Sequence, residues 1–409
     1  MRISYLMPDL GFTGGSQVLY QFMERLTLRD HEVYLVTPGG RLRWQPGMTA
    51  LLNSKRNDPL FGDAAGRFFA DVDLEAVDSL ARGALGLNSG PLAISSLVTS
   101  SVTEALIKHW LPSDITVATH NFTAYAAFHL MDRTLAFYHL QAYEEPFSKD
   151  SCLQKTARMT YFLPLRTVAN STWLARRVTE LSGRRCRLLP PGIDTKVFRP
   201  LPEDACKYDP DGEFRVLSFY SPAPHKGWED AVAAMRLAAA SSPRRLRWVV
   251  LGGRPDPVAG LDMDLKGKLF GADLARAYSG CHACLVPSWF ESFPLPPLEA
   301  MACGTAVVTT PAGNEDYVRN GRNALTAPAR DPRALAAALL RLEGDPGLCF
   351  SLTEEGIKTA GLHGWDNAVK RLELLFAGAV ADSSGDRFAR LLSELSPGGA
   401  APAQAGPVN

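Results

Sequence analysis

The chain lacks an excess of charge of either sign: its 409 residues carry 43 Lys+Arg and 43 Asp+Glu. No overall field therefore draws it to nucleic acid, and no nucleic-acid partner is expected. It also lacks an apolar run long enough to cross a bilayer, and its first residues do not have the grammar of a signal peptide, so a cytoplasmic protein is expected. The seven cysteines are odd in number and have no framework spacing, which suits a reducing compartment. Cys281-His282-Ala283-Cys284 is a lone C-x-x-C without the second pair that zinc requires, and it runs into an apolar segment. Its thiols read as core filling, and no metal is expected. No G-x-G-x-x-G follows the first apolar segment, which argues against a plain dehydrogenase. The letters D-x-D occur at Asp71–Asp73 and Asp262–Asp264, neither at the end of a clear strand, and no covalent nucleophile stands out. The basic clusters Arg176-Arg177, Arg184-Arg185 with Arg187, and Arg244-Arg245 with Arg247 read mostly as solvated surface. A peripheral membrane contact, toward a lipid-linked substrate, stays open.

What is present describes a globular protein of two ordinary domains, with 46% apolar and 21% charged residues. Apolar runs at Ile3–Pro8, His31–Thr37, Ile115–Thr119, Leu135–Leu140, Phe214–Tyr220, Arg247–Gly252, Ala283–Pro287 and Thr305–Thr309 read as strands, most of them separated by helical patterns. That alternation predicts an α/β chain of doubly wound, mostly parallel sheets. Gly11 to Ser16, with Gly14 and Gly15, follows the first strand and precedes the apolar-periodic run Val18, Leu19, Phe22, Leu26. A glycine loop so placed lets the backbone approach a ligand closely, although ordinary turns share the pattern. Residues 39–100 are hard to read, with only modest helical periodicity over Leu74–Leu85. His120 stands at the carboxyl end of its strand, where open α/β sheets bind ligands.

The stretch Ser288–Val308 holds the densest chemistry. A loop with Glu291 and Phe293 leads into a helix opened by Pro296-Pro297 and ended near Gly304, and a strand follows. Two carboxylates, Glu291 and Glu299, then accept hydrogen bonds from two sets of hydroxyls on one ligand, with a diphosphate over the helix tip. The plain alternative is that Glu299 is favoured by the helix dipole and Glu291 is solvated.

Glu291-x7-Glu299 with FPLPPLEAMACG resembles the signature of the retaining glycosyltransferases of family 4, which have the GT-B fold: two Rossmann-like, doubly wound domains facing across a cleft. The resemblance implies Glu291 near the donor sugar, Glu299 on the ribose, and the loop residues Phe293, Pro294 and Leu295 at the diphosphate. Pro294 stands where the family has Gly and offers no N–H, which leaves Leu295 as donor. THNFTAYAAFHL implies that His120 contacts the donor sugar, and the early loop implies Gly14 and Gly15 at the cleft. The segment LLPPGIDTKVFRP resembles the family's interdomain boundary. Lys226-Gly227 fits half of a diphosphate clamp whose usual Arg is replaced by Ser221. Thr310–Glu315 resembles the loop that closes over the phosphates, with Gly313 nearest. Gln141-Ala142-Tyr143-Glu144 resembles a segment of rhamnosyl-type relatives, a faint pointer to substrate.

The resemblance thus implies an acceptor-side domain over 1–198, a nucleotide-sugar domain over 199–364, and a helix over 365–380 crossing back to the first domain. The tail 396–409 has the composition of disorder. The implied activity is transfer from a nucleotide-diphosphate sugar to a hydroxyl of a glycan, lipid-linked glycan or small aglycone, with no cofactor and no metal. Two other activities remain open. One is a sugar-nucleotide epimerase of the same architecture. The other is a catalytically silent binding subunit, which the Ser221 replacement motivates.

Overall fold

In the computed structural model the central strands of two separate sheets are runs buried on both faces, the pattern parallel strands require. Residues 1–10, 14–55, 91–145, 151–201 and 212–395 are described. Asp71–Asp73, the Leu74–Leu85 periodicity, Gly11–Thr13 and the 396–409 tail lie outside them. The chain divides into Met1–Val369 and Lys370–Asn409.

The first sheet uses β1 (Arg2–Leu6), β2 (Glu32–Thr37), β3 (Gly40–Arg43), β4 (Ile115–Ala118), β5 (Leu135–Leu140), β6 (Arg166–Ala169) and β7 (Arg187–Leu188). Their order is β3-β2-β1-β4-β5-β6-β7, parallel except for the β2–β3 hairpin. The second sheet uses β8 (Phe214–Tyr220), β9 (Leu246–Gly252), β10 (Asp262–Gly267), β11 (Ala283–Val286), β12 (Ala306–Thr309) and β13 (Leu325–Thr326). It is parallel throughout, in the order β10-β9-β8-β11-β12-β13. Strand order reverses beside β1 and β4 in one sheet and beside β8 and β11 in the other. Loops leaving those four strands are where such sheets hold ligands. Each sheet is doubly wound, and together they make the GT-B fold.

Local chemistry sets the helix ends. Ser171 caps Thr172–Ser182 by accepting from the Leu174 N–H, and Asp331 caps Pro332–Gly344 from the Ala334 N–H. The last helix runs Trp365–Leu395, past the 365–380 span expected from its periodicity. Asp262–Asp264, read as lying away from any clear strand end, in fact opens β10. Asp262 pairs there with Arg245 at 2.6 Å, and Asp264 with Arg247 at 3.3 Å and Lys266 at 3.1 Å. These carboxylates are neutralised at the strand's amino end, far in register from the ligand-binding ends.

The chain passes between the two sheets beside Gly192. A Cβ at Gly192 would stand 2.6 Å from the Trp365 backbone, so only glycine lets the two segments lie together. Ile193 N–H donates to the His363 carbonyl at 2.8 Å. The Trp365 ring meets Phe22 edge-on at 5.1 Å, with the Arg25 guanidinium 5.0 Å from its centre. Residues 364–365 therefore touch the first helix, Gly14–Thr27.

The core packed on the second sheet is anchored on Trp248. It is fully buried, stacked on Trp228 at 4.9 Å and 14°, and its indole N–H donates to Ser218 Oγ at 3.0 Å. Trp248→Ala removes the stack and strands a buried hydroxyl, and is expected to cost about 3–5 kcal/mol. Urea unfolding of the two chains checks this; a loss below about 1 kcal/mol would show that the site collapses to refill itself.

Candidate active site

The loop that leaves β11 is held in place before it does any chemistry. Trp289 N–H donates to the His225 carbonyl at 2.7 Å, tying the loop to the single turn Pro224–Lys226 after β8. Thr310 Oγ1 donates to the Ser288 carbonyl from the loop after β12. Tyr317 Oη donates to the Pro294 carbonyl, and Phe293 is buried against the Tyr317 ring at 5.2 Å. Gly313 has a φ of +82°, and a Cβ there would lie 2.4 Å from the Glu291 carbonyl oxygen. A side chain at 313 would push Glu291 out of place.

Glu291 is the point on which these supports converge. Its Oε1 accepts from Lys226 Nζ at 2.5 Å and from Ser288 Oγ at 3.0 Å. Glu291 keeps 17% and Lys226 37% of its side-chain surface, so the pair faces an open space rather than the core. That space is a cavity of about 450 Å³, a size that suits a small-molecule ligand. Gly14, Gly15, Lys226, Glu291, Phe293, Pro294 and Leu295 line it, together with Ser221, His225, Gln141 and Asn170. Seven of the ten residues singled out from sequence thus meet in one place. Gly14 and Gly15 do so from the first turn of the helix Gly14–Thr27, rather than from a loop.

The other three stand apart from that lining. Glu299 lines the adjoining cavity, with Phe270, Leu274 and Trp365, and Leu295 lines both. Gly313 acts from behind, through the Glu291 backbone. His120 caps the helix Asn121–His129: its Nδ1 accepts from the Phe122 N–H at 3.4 Å, and its Nε2 stands 3.7 Å from Glu144 Oε2. Both ring nitrogens therefore already face protein groups. Burial raises the Glu144 carboxyl's pKa, opposed by the nearby His120, by the Asn121 N–H at 2.7 Å and by Tyr138 Oη at 3.2 Å.

The helix tip offers less than its position promised. Pro296–Ala302 has seven residues, and its first two carry no N–H. The Glu299 N–H already donates to the Leu295 carbonyl at 2.9 Å. Lys226 is therefore the strongest electropositive feature of the cavity lining.

Sequence reading passed over the residues that join the two domains here. Asp316 Oδ2 accepts from the Thr172 N–H at 2.8 Å, and its Oδ1 from the Thr172 hydroxyl. Ser292 Oγ donates to Asn170 Oδ1 at 2.5 Å and lies 3.4 Å from Ser171 Oγ. A signal that could have found them is the Asn170-Ser171 pair just ahead of the helix, since both residue types suit an N-cap.

Burial sets the chemistry of Glu299. Surrounding protein pushes its pKa up to about 7, while the Tyr278 hydroxyl, donating at 3.0 Å, pulls it down in part. Between about pH 4.5 and about 7 the folded chain keeps a proton that the unfolded chain has lost. This carboxyl's contribution to stability is thus complete below 4.5 and falls as pH rises through 7. Glu299→Gln is expected to flatten that part of the profile and to raise the melting temperature at pH 8 relative to the parent. Melting curves from pH 4.5 to 8 check it; parallel profiles for the two proteins would contradict the assignment.

The chain is similar to known proteins over part of its sequence and across its fold. Residues 215–345 match the family described as Glycosyl transferases group 1. A curated D-inositol 3-phosphate glycosyltransferase from Acidothermus cellulolyticus is 31% identical over 263 residues, covering 56% of this chain and 57% of the relative. One from Thermobispora bispora is 30% identical over 244 residues, covering 53% and 56%. The chain thus matches little more than half the length of these relatives. Among solved structures, a sucrose-phosphate synthase from Thermosynechococcus elongatus superposes with a TM-score of 0.66 at 19% identity, covering 93% of this chain and all of that one. Anabaena HepE, solved with UDP and glucose, superposes with a TM-score of 0.64 at 17% identity, covering 92% and 100%.

Proposed function

We propose, from the match of residues 215–345 to the family described as Glycosyl transferases group 1, that the chain is a glycosyltransferase moving a sugar from a nucleotide-diphosphate sugar to an acceptor hydroxyl, with retention of configuration and without a metal. The observation that carries this reading is the Lys226–Glu291 pair facing a ligand-sized cavity at the switch points of both sheets. A structural neighbour, Anabaena HepE, has been solved in complex with UDP-glucose, which supports a nucleotide sugar as the ligand in this reading.

In this reading the diphosphate lies against Lys226 and the donor sugar against Glu291, with the ribose reaching Glu299 past Leu295. The bond from the anomeric carbon to the β-phosphate oxygen breaks, and one to the acceptor oxygen forms on the same face. The acceptor's proton passes to the departing phosphate oxygen. Lys226 stabilises the charge that grows on that phosphate, and Gly14 and Gly15 leave room for it at the opposite wall. Lysine is a compact charge without the bidentate fork of arginine, so one cation does the work that two would share if Ser221 were Arg. Fixed in the cleft beforehand by Glu291, it needs little reorganisation when the charge develops. His120 reaches the donor sugar only by giving up a partner, Phe122 N–H or Glu144.

Lys226→Ala and Glu291→Ala are expected to lower kcat by about 10²–10³-fold. Glu299→Ala is expected to act mainly on donor affinity. Steady-state kinetics with titration calorimetry of nucleoside diphosphates separates the two effects, and unchanged values in all three variants would end the proposal. Transfer is expected to survive EDTA; loss in the chelator with recovery on Mn²⁺ would refute metal independence.

A further inference from the structure

Beside the main cavity the cleft has a second recess that the reading above leaves unused. Tyr143, from the segment after β5, and Trp173, Arg176 and Arg177, on the helix Thr172–Ser182, form one side. His225 and Phe290 of the second domain form the other, and both also line the main cavity. The two spaces therefore share a wall, and Phe290 immediately precedes Glu291.

Three rings of the recess adjoin one another. Trp173 meets Phe290 at 5.0 Å and 74°, and Tyr143 meets Trp173 at 6.2 Å and 90°. Tyr143 is braced from behind by the buried Tyr161, stacked at 5.5 Å. The helix that carries Trp173 and the arginines is anchored at its first residue by Asp316. Rigid aromatic surfaces give a sugar's C–H face a broad seat at small entropic cost.

The charge of the recess is as telling as its shape. Arg177 stands 5.4 Å from the Tyr143 ring centre, and Arg176 is exposed beside it. Among the described residues neither makes an ion pair, and Glu180 is the single acid on the wall. Arg177 spends a donor on the Tyr143 hydroxyl, and the remaining donors of the two adjacent guanidinium groups match the two oxygens of a carboxylate or a phosphate.

We propose that this recess seats the acceptor, and that the acceptor is an anionic sugar: its ring lies on Tyr143, Trp173 and Phe290, and its carboxylate or phosphate is held by Arg176 and Arg177. The assignment rests on the donor reading, because the shared wall is what brings a bound ring next to Glu291. It narrows the substrate to rings that carry an oxyanion and disfavours neutral glycans.

Titration calorimetry of the full chain with methyl β-D-glucuronide, glucose 6-phosphate and methyl β-D-glucoside tests it, using the parent and the double variant Arg176→Gln/Arg177→Gln, with UDP titrated separately. At least one anionic probe is expected to bind the parent more tightly than the neutral glucoside, and about tenfold or more weakly to the double variant. UDP affinity is expected to be equal in both proteins. Which anion binds distinguishes a uronic acid from a sugar phosphate. Neutral and charged probes binding alike, a double variant that binds unchanged, or no binding of either anion would overturn the assignment. Anion binding that depends on the arginines, with no UDP binding to either protein, would support the recess and count against the donor reading.

Discussion

The contact between Lys226 Nζ and Glu291 Oε1, 2.5 Å long, joins two loops that lie 65 residues apart in sequence. One follows β8, the other follows β11, and those strands are neighbours where the second sheet reverses its order. A partly exposed ion pair contributes little to stability by itself. Its importance is positional: it holds a cation and a carboxylate together on the lining of one cavity. The surrounding structure exists to keep that arrangement. Trp289 ties the β11 loop to the turn at Pro224–Lys226, Thr310 fixes it from the far side, and Gly313 supplies the space in which the Glu291 backbone rests.

A second constraint sets what faces the pair. The segment Asn170–Thr172, which follows β6, bonds to Ser292 and Asp316, so the helix Thr172–Ser182 begins against the loops that leave β11 and β12 of the second sheet. Where the chain passes between the sheets, Gly192 lies against the Trp365 backbone, and Trp365 itself meets Phe22. The cleft is thus pinned at its mouth by hydrogen bonds and at its back by close backbone packing.

Much of the architecture was legible because parallel strands buried on both faces announce themselves. Leu135–Leu140 and Phe214–Tyr220 match their strands residue for residue, and Asp331 caps the helix it precedes. The family resemblance led to Lys226 and the loop Phe293–Leu295, beside the Glu291 that the motif's own residues singled out. What sequence did not carry was partnership between distant residues. Nothing near His120 announced that Glu144 and Phe122 would occupy its ring, and nothing near Thr172 pointed to Asp316, 144 positions away. Helix-tip reasoning overvalued Pro296–Ala302, since proline suits a helix start for the same reason that it removes donors there. His139 shows a similar limit. It lies buried in β5 with neither ring nitrogen hydrogen-bonded, and burial lowers its pKa to about 3, so it is a neutral packing residue that periodicity cannot tell from a functional one.

The central claim is that the Lys226–Glu291 pair is the part of the cleft that meets the reacting end of a nucleotide-diphosphate sugar. The most direct test is a crystal structure of the intact chain with such a sugar bound. The account predicts the β-phosphate within hydrogen-bond reach of Lys226 Nζ, the sugar beside Glu291 and the ribose at Glu299. A nucleotide sugar bound outside the cleft, or bound there with its diphosphate away from Lys226, would contradict it.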